Sequence, residues 1–336
     1  MSLIPYLHQA AGRNDLTAAD AESAMRIILA GEASSPSIAA FLVALRMKGE
    51  AVSELVGFAR AMRCAARRVE AEGPLIDTCG TGGDGACTFN ISTVAAFVIA
   101  GCGVRVAKHG NRSISSRCGS ADLMESLGVR IPFDPEEMSR ALREAGIAFL
   151  FAPAIHTAMK HAQPVRVELK MRTAFNLLGP LTNPAGAAFQ LAGAPSEIAA
   201  ELMAGALAEL GLERGFVVHG SDGLDEITTT GPTLAFEITG GRVLRRVFEP
   251  EDFGVAVARP EDLTGGDAGE NRDIALRILG GEAGPKRDIV LVNSAAALVA
   301  SGAAPGFLEG MALAARSIDS GAARARLDAL VRISTA

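Results

Sequence analysis

Several features that mark other protein classes are scarce or absent in this chain of 336 residues. It has no Trp, one Tyr, and five Cys without zinc-finger spacing, which argues against a structural zinc module. The 32 Lys and Arg are outnumbered by 38 Asp and Glu, and the net charge of −6 excludes a surface built mainly to bind nucleic acid. The longest apolar run, from Val94 to Val104, is shorter than the roughly 20 residues that cross a bilayer. Because no secretory signal is present either, we expect a cytoplasmic protein with free thiols and neither a membrane nor a nucleic-acid partner.

The N-terminal segment has the pattern of helices alone. The chain is longer than a single core usually supports, so a large domain with a smaller companion is expected. Thr17 precedes an apolar run with helical spacing, and Ser35-Pro36 offers an N-cap followed by proline in the first turn. A third helix is predicted from Ser53 to about Ala66.

After Gly73-Pro74 the pattern changes to an alternation of short apolar strands and helices. Strands are predicted at residues 75–76, 104–107, 147–151, 216–219, 234–238 and 243–248, with helices at 92–100, 121–127, 135–145, 196–210 and 288–299. This alternation predicts βαβ units and a largely parallel sheet flanked by helices. The predicted fold is therefore α/β, with an all-helical domain at residues 1–72 to which residues 164–186 return, and a larger α/β domain formed by 73–163 and 187–336.

A glycine-rich loop follows the first predicted strand. Gly80, Gly82 and Gly85 fit the G-x-G-x-x-G pattern of dinucleotide-binding folds, which also require an acidic residue about 20 positions further on. No acidic residue occurs between Gly85 and Ala121. The basic residues in and beside this stretch are Arg105, Lys108, Arg112 and Arg117. The loop is therefore predicted to bind a phosphate group with its backbone N–H groups, aided by the start of the helix near Ser92.

Motifs in this order over most of the chain resemble those of the anthranilate phosphoribosyltransferases. They are Gly80-Thr-Gly-Gly-Asp84, Asn90-Ile-Ser-Thr93, Lys108-His-Gly-Asn-Arg112, Ser116, Ser120, Arg166, Arg172-Thr-Ala-Phe-Asn-Leu-Leu-Gly-Pro-Leu-Thr-Asn-Pro184 and Asp225-Glu226. The resemblance implies transfer of a phosphoribosyl group from phosphoribosyl pyrophosphate (PRPP) to anthranilate, the second step of tryptophan biosynthesis. It also implies Mg²⁺, with two ions, and a homodimer formed through the helical domain.

The resemblance implies a binding site for each substrate and for the metal. For PRPP the implied residues are Gly80, Gly82, Gly83, Asp84, Thr88, Asn90, Ile91, Ser92, Thr93, Lys108, Gly110, Asn111, Arg112, Ser113, Ile114, Ser115, Ser116 and Ser120. For anthranilate they are Gly80, His109, Asn111, Arg166, Gly179 and Pro180. The implied metal ligands are Ser92, Asp225 and Glu226.

The chemistry of these residue types supports the implied roles. Asp225 and Glu226 place two carboxylates at the exit of a strand, and hard oxygen ligands suit Mg²⁺, although such a pair is otherwise usually solvated surface. The guanidinium of Arg166 matches a carboxylate, although a single helical Arg is by default a surface residue. Because an aromatic amine needs little activation, His109 is assigned a positioning role and no general base is assigned.

Other reactive side chains are given structural roles. Cys79 and Cys87 flank the glycine loop without an evident base partner, so buried packing is expected for both. His156 and His161 have no glutamate at the metalloprotease position and are interpreted as structural. Lys170 stands where the family commonly has glycine, a departure that concerns the local helix and not the phosphate or metal motifs.

Two other functions remain as alternatives. A nucleoside phosphorylase of related fold would carry a Lys-His-Ser-Thr-Gly-Gly type of segment, whereas this chain has Lys108-His-Gly-Asn111. A non-catalytic relative that binds nucleic acid should have a basic surface and eroded metal carboxylates, whereas this chain is acidic and retains Asp225-Glu226.

Overall fold

The computed structural model describes residues 2–83, 85–113 and 117–336. Within these ranges the α-helices are α1 (Ile4–Ala11), α2 (Ala18–Leu29), α3 (Ser35–Lys48), α4 (Val52–Ala65), α5 (Ile91–Gly101), α6 (Ser120–Ser126), α7 (Pro135–Glu144), α8 (Ala152–Ile155), α9 (Gln163–Leu169), α10 (Phe175–Leu178), α11 (Glu197–Glu209), α12 (Ala268–Leu279), α13 (Pro285–Ser301), α14 (Phe307–Asp319) and α15 (Ala322–Thr335). Short 3₁₀ helices cover Thr157–His161, Pro250–Phe253 and Pro260–Leu263. The strands are β1 (Ile76–Asp77), β2 (Val106–Gly110), β3 (Ile147–Phe151), β4 (Phe189–Gly193), β5 (Arg214–Gly220), β6 (Thr233–Thr239) and β7 (Arg242–Phe248).

The seven strands form one mixed sheet in the order β3-β2-β1-β4-β5-β6-β7. Strands β1 to β5 are parallel to one another, and β6 and β7 continue the sheet as antiparallel strands beside β5. The chain moves outward in one direction from β1 to β3 and in the other from β4 to β7. Strands β1 and β4 are therefore neighbours at the point where the order reverses, which is where open α/β sheets bind ligands.

The buried hydrophobic residues of the described chain form two cores. One contains buried residues of α5, α7 and α12 to α15 together with the strands. The other joins α1 to α4 with α9, α10 and α11, and it reaches the sheet at Ala192, Val217 and Phe236. Helix α11 contacts α4 and also β5 and β6, so the N-terminal helices are packed to the sheet through α11.

Local sequence explains where the elements begin. The Thr17 side chain accepts a hydrogen bond from the backbone N–H of Asp20 and caps α2, the helix predicted to follow it. For α3 the predicted cap was wrong by one residue: the hydroxyl of Ser34 accepts from the N–H of Ser37, and Ser35 already lies in the first turn.

The predicted α/β fold with a small helical domain and a mostly parallel sheet is confirmed, but the sequence prediction missed a central strand. Strand β4 is entirely buried between β1 and β5. Its polar residue Gln190 is buried as well and donates from Nε2 to the carbonyl of Pro180 over 2.7 Å. A five-residue strand with an amide at its second position and glycine at its end carries too weak an apolar pattern to be recognised.

No helix in the described part of the chain is both long enough and apolar enough to cross a bilayer.

Candidate active site

The predicted site residues meet at the carboxyl ends of the central strands. The glycine loop follows β1, Lys108 to Gly110 end β2, and the Asp225-Glu226 pair lies in the loop between β5 and β6. Helix α5 begins beside them at Ile91. The crevice at the reversal of strand order thus holds segments from four parts of the chain.

The two acidic residues contact the glycine loop and the start of α5 directly. The N–H of Gly82 donates to Oδ2 of Asp225 over 2.6 Å. The N–H of Ser92 donates to Oε1 of Glu226 over 3.1 Å. Burial, followed by repulsion from Asp225, raises the pKa of Glu226 far above that of an ordinary glutamate. The same backbone N–H groups could instead donate hydrogen bonds to phosphate oxygens.

Two glycines permit this close approach of the acidic loop. A Cβ on Gly80 would lie 2.5 Å from Oδ2 of Asp225, and one on Gly193, at the end of β4, would lie 1.5 Å from the Asp225 carbonyl oxygen. Any side chain at either position would push the acidic loop away from the glycine loop. Gly193 was not among the predicted site residues, because its role depends on a strand that the sequence pattern did not reveal.

The buried Lys108 places a cation beneath the same groups. Its Nζ donates to the carbonyl of Thr78 over 2.8 Å and to Oγ of Ser92 over 3.3 Å. Ser92 therefore contacts both charged groups: its hydroxyl lies beside Lys108, and its N–H, at the start of α5, donates to Glu226. Thr93, next to it, has a buried Oγ1 with no hydrogen-bond partner among the described residues.

The remainder of the glycine loop has the backbone that its sequence requires. Gly82 and Gly83 have φ of 67° and 73°, a left-handed conformation that favours glycine. The Arg172 guanidinium donates a hydrogen bond to the carbonyl of Gly83 and so links the loop to the segment before α10. Asp84, which the sequence prediction also assigned to PRPP, lies outside the described residues.

Asn90 is held from two sides. Its Nδ2 donates to the carbonyl of Cys118 over 3.1 Å, and its Oδ1 accepts from Nδ2 of Asn271 on α12 over 3.0 Å. Thr88, two residues earlier, forms an isolated antiparallel bridge with Thr264. The carbonyl of Phe89 accepts from the N–H of Ile91, whose side chain is buried in the core. The predicted phosphate-binding motif at residues 90–93 is thus braced by the C-terminal third of the chain.

The segment after β2 turns back onto the start of α6. The hydroxyl of Ser120 donates to the carbonyl of Asn111 over 3.1 Å, and the N–H of Ser113 donates to Asp122. A Cβ on Gly110 would lie 2.5 Å from the same Ser120 hydroxyl. Ile114, Ser115 and Ser116, also predicted to bind PRPP, lie outside the described residues.

The predicted cluster of four basic residues is only partly assembled. Arg112 pairs with Asp122 and Glu125, and Arg117 lies 3.6 Å from Glu270. Arg105 precedes β2, so it lies at the opposite end of the strand from the glycine loop, beside Gly73. The prediction that Arg105 belongs to the anion site was wrong, because position along a strand decides which edge of the sheet a residue reaches.

A buried pair of histidines lies beside the predicted anthranilate residues. His109 Nδ1 is 2.9 Å from the carbonyl of Gly179, and its ring lies 5.2 Å from that of His156. Burial lowers the pKa of His109 to about 4 and that of His156 to about 3, so both are neutral near pH 7. The Nε2 atoms of both are buried without a hydrogen-bond partner among the described residues. His156 was interpreted as structural and was not predicted in the site, whereas His161 packs away from it against Gly31.

Arg166 and Pro180 complete the predicted anthranilate residues. The half-buried Arg166 lies over the ring of Phe175 at 5.2 Å, and its Nη1 donates to Gln163 over 3.3 Å. Burial lowers the pKa of this guanidinium somewhat. Pro180 is fixed by the Gln190 amide described above.

Buried side chains behind the site hold its strands and loops together. Asp77 accepts from the N–H of His109 over 3.1 Å and from Nδ2 of Asn183 over 2.7 Å. Asn183 also donates to the carbonyl of Ala107. The sequence prediction assigned no role to Asp77 or Asn183. Asn183 belongs to the quoted motif that ends at Pro184, and Asp77 lies three residues before the motif that begins at Gly80.

Asp77, Cys79 and His109 have potential metal-ligand atoms within 4.8 Å of one another. However, both carboxylate oxygens of Asp77 already accept hydrogen bonds. Burial raises the pKa of the Cys79 thiol, which disfavours the thiolate that a metal would need. We therefore interpret this group as support for the site. The predicted buried packing is confirmed for Cys79 and wrong for Cys87, which is exposed.

Two family models together match most of the chain. Residues 4–66 match the model of a glycosyl transferase family, helical bundle domain, and residues 72–324 match a glycosyl transferase family, a/b domain. The anthranilate phosphoribosyltransferase of Solibacter usitatus is 69% identical over 333 residues, covering 98% of both chains.

Solved structures extend the likeness to the whole fold. The anthranilate phosphoribosyltransferase of Thermus thermophilus superposes with a TM-score of 0.94 at 45% identity, covering 98% of this chain and 99% of that one. The Saccharomyces cerevisiae enzyme in complex with PRPP and Mg has a TM-score of 0.91 at 28% identity, covering 99% and 98%. The chain therefore belongs to the anthranilate phosphoribosyltransferase family of glycosyltransferases.

Proposed function

We propose that this chain transfers the phosphoribosyl group of PRPP to the amine of anthranilate and releases pyrophosphate, as the second step of tryptophan biosynthesis. The main support is the contact between distant segments. Asp225 accepts from the N–H of Gly82, 143 residues away in sequence, and Glu226 accepts from the N–H of Ser92, 134 residues away. Carboxylates suited to a metal ion and amides suited to phosphate oxygens thus lie in one crevice, as a diphosphate leaving group requires.

The residues of the acidic pair fit Mg²⁺. Two adjacent carboxylates and the hydroxyl of Ser92 are hard oxygen donors, and burial together with repulsion from Asp225 raises the pKa of Glu226, a cost that a bound cation would offset. We assign Asp225, Glu226 and Ser92 to hold two Mg²⁺ ions. Bound Mg²⁺ would neutralise negative charge on the pyrophosphate as it departs.

The remaining groups of the crevice bind and orient PRPP. The amides of the glycine loop and of the α5 start are positioned for phosphate oxygens, and Lys108 adds a buried positive charge below Ser92. Asn90 is fixed by Cys118 and Asn271 before any substrate arrives, which lowers the entropic cost of ordering the site.

Anthranilate is proposed to bind between Arg166, Asn111 and the His109 side of the crevice. The Arg166 guanidinium would pair with the carboxylate, and Gly80, Gly179 and Pro180 would line the aromatic ring. The bond from the anomeric carbon to pyrophosphate breaks and a carbon–nitrogen bond forms. The proton lost by the amine passes to pyrophosphate or water. The low pKa of His109 keeps its ring neutral near pH 7, and we assign it the role of positioning the substrate.

The organisation of the chain is also part of the proposal. Residues 1–72 with 164–186 would form the helical domain, and 73–163 with 187–336 the α/β domain. The packing of α9 against α3 and of α10 against α4 supports this division. We further propose a cytoplasmic homodimer formed through the helical domain.

The direct test is to mix the protein with PRPP, Mg²⁺ and anthranilate and to follow anthranilate fluorescence. We expect the fluorescence to fall only when all three are present. A chain that instead cleaves nucleosides with inorganic phosphate would be a phosphorylase. The double variant Asp225→Asn, Glu226→Gln should abolish turnover and leave the melting temperature of the protein unchanged. Unchanged Mg²⁺-dependent turnover in that double variant would remove the pair from the site.

A further inference from the structure

The acidic loop lies outside regular secondary structure, yet it must keep two carboxylates in place. Residues 221–232 connect β5 to β6 without forming a helix or strand. Asp225 and Glu226 repel each other, and their contacts to Gly82 and Ser92 involve groups that the substrate would also use. The backbone of the loop therefore needs a support that does not face the crevice.

Asn293 of α13 provides contacts of this kind. Its side chain is 1% exposed. Oδ1 accepts from the N–H of Ile227 over 3.0 Å, and Nδ2 donates to the carbonyl of Ile227 over 2.9 Å. One amide thus satisfies both backbone groups of the residue that directly follows Glu226. The same Nδ2 donates to the carbonyl of Ile289, one helical turn earlier, over 2.9 Å.

These contacts link the loop to a rigid part of the molecule. Helix α13 packs against β4, β5, α5 and α14, and the side chain of Ile227 is itself buried in the core. Moving the loop away from Asn293 would leave the side-chain amide of Asn293 and the backbone of Ile227 buried without hydrogen bonds to each other, which opposes the movement. The bidentate contact fixes the position and the direction of the backbone immediately after Glu226.

We infer that Asn293 is a positioning residue for the metal half of the site, which holds Asp225 and Glu226 against the glycine loop and the start of α5. Asn293 does not touch the substrates. The inference rests on the proposed function for the identity of the cation, but the contact between Asn293 and Ile227 can be tested without it.

Asn293→Ser separates the two contacts of the side chain. A serine at this helical position can donate to the carbonyl four residues earlier, as Ser294 already does to Val290 over 2.7 Å, but it is too short to reach Ile227. Ser294→Ala is the matched control, because Ser294 is buried next to Asn293 and its hydroxyl bonds only within α13 among the described residues.

Binding of PRPP is measured by calorimetry without anthranilate, at a series of Mg²⁺ concentrations. We expect Asn293→Ser to raise the Mg²⁺ concentration for half-maximal PRPP binding by about tenfold, the effect of losing one or two hydrogen bonds. Excess Mg²⁺ should restore binding, and Ser294→Ala should match the unaltered protein. An unchanged Mg²⁺ dependence, a loss that excess Mg²⁺ does not restore, or an equal loss in Ser294→Ala would each overturn the inference.

Hydrogen exchange of the Ile227 amide provides a second measurement that needs no ligand. In the unaltered protein this amide should be protected although it lies in a loop, and it should exchange faster in Asn293→Ser. Rapid exchange in the unaltered protein would overturn the inference even if no variant folds, and protection there would support it. If the unaltered protein fails to bind PRPP with Mg²⁺, the proposed function fails, and the exchange measurement still decides the role of Asn293.

Discussion

Replacing Gly193 with alanine should disable the site without unfolding the protein. The added Cβ would lie 1.5 Å from the carbonyl oxygen of Asp225, whereas ordinary van der Waals contact begins near 3.4 Å, so the two must separate by roughly 2 Å. Strand β4 is paired on both sides, with β1 and β5, and cannot move easily. The acidic loop must therefore shift, together with Glu226.

The size of the effect follows from this displacement. A misplacement of about 1 Å can cost about 100-fold in rate, so we expect kcat/KM for PRPP to fall by at least about 100-fold. Steady-state anthranilate fluorescence measures the activity, and thermal melting checks the fold. Gly269→Ala is the control, because its Cβ would meet only the side chain of Asp267 at 3.3 Å. A Gly193→Ala protein with kcat/KM close to that of the control would show that Gly193 does not determine the position of the acidic loop.

Three further predictions concern other parts of the chain. Lys170 ends α9 in a left-handed conformation with φ of 49°, so Lys170→Gly should raise the free energy of unfolding by about 1 kcal/mol in urea titrations; a decrease would contradict this. His156 has its pKa lowered to about 3 by burial, so the folded state binds fewer protons than the unfolded state below about pH 6.5, and stability falls as the pH falls. His156→Phe should therefore lose less stability than the unaltered protein between about pH 7 and pH 4, and an equal loss would exclude this cause. Asn271→Ala removes the contact to Asn90 and should raise KM for PRPP about tenfold without changing KM for anthranilate, whereas equal changes in both would indicate general damage.

The sequence was sufficient to predict the class of fold, because it depends on local patterns. The alternation of apolar runs predicted the strands β2, β3 and β5 to β7, and the glycine loop with its acid-free continuation indicated phosphate binding. Motif resemblance then added Asp225 and Glu226, which no local pattern would have distinguished from exposed charges.

What the sequence did not reveal depends on contacts between distant segments. Gly193 belongs to a strand with a weak pattern, and Asn293 belongs to a helix far along the chain, yet each determines where the acidic loop lies. Arg105 was misplaced because it precedes β2 and so lies at the opposite end of that strand from the glycine loop. Such buried supports become visible only when the hydrogen bonds of the loop are traced to their partners.

One crevice, built from the glycine loop and the Asp225-Glu226 pair, is proposed to transfer a phosphoribosyl group to anthranilate. The most direct measurement follows anthranilate fluorescence and pyrophosphate release in the same reaction containing PRPP and Mg²⁺. We predict that one pyrophosphate appears for each anthranilate consumed and that chelation of Mg²⁺ stops both signals. Pyrophosphate release without loss of anthranilate, or no change in either signal, would contradict the account.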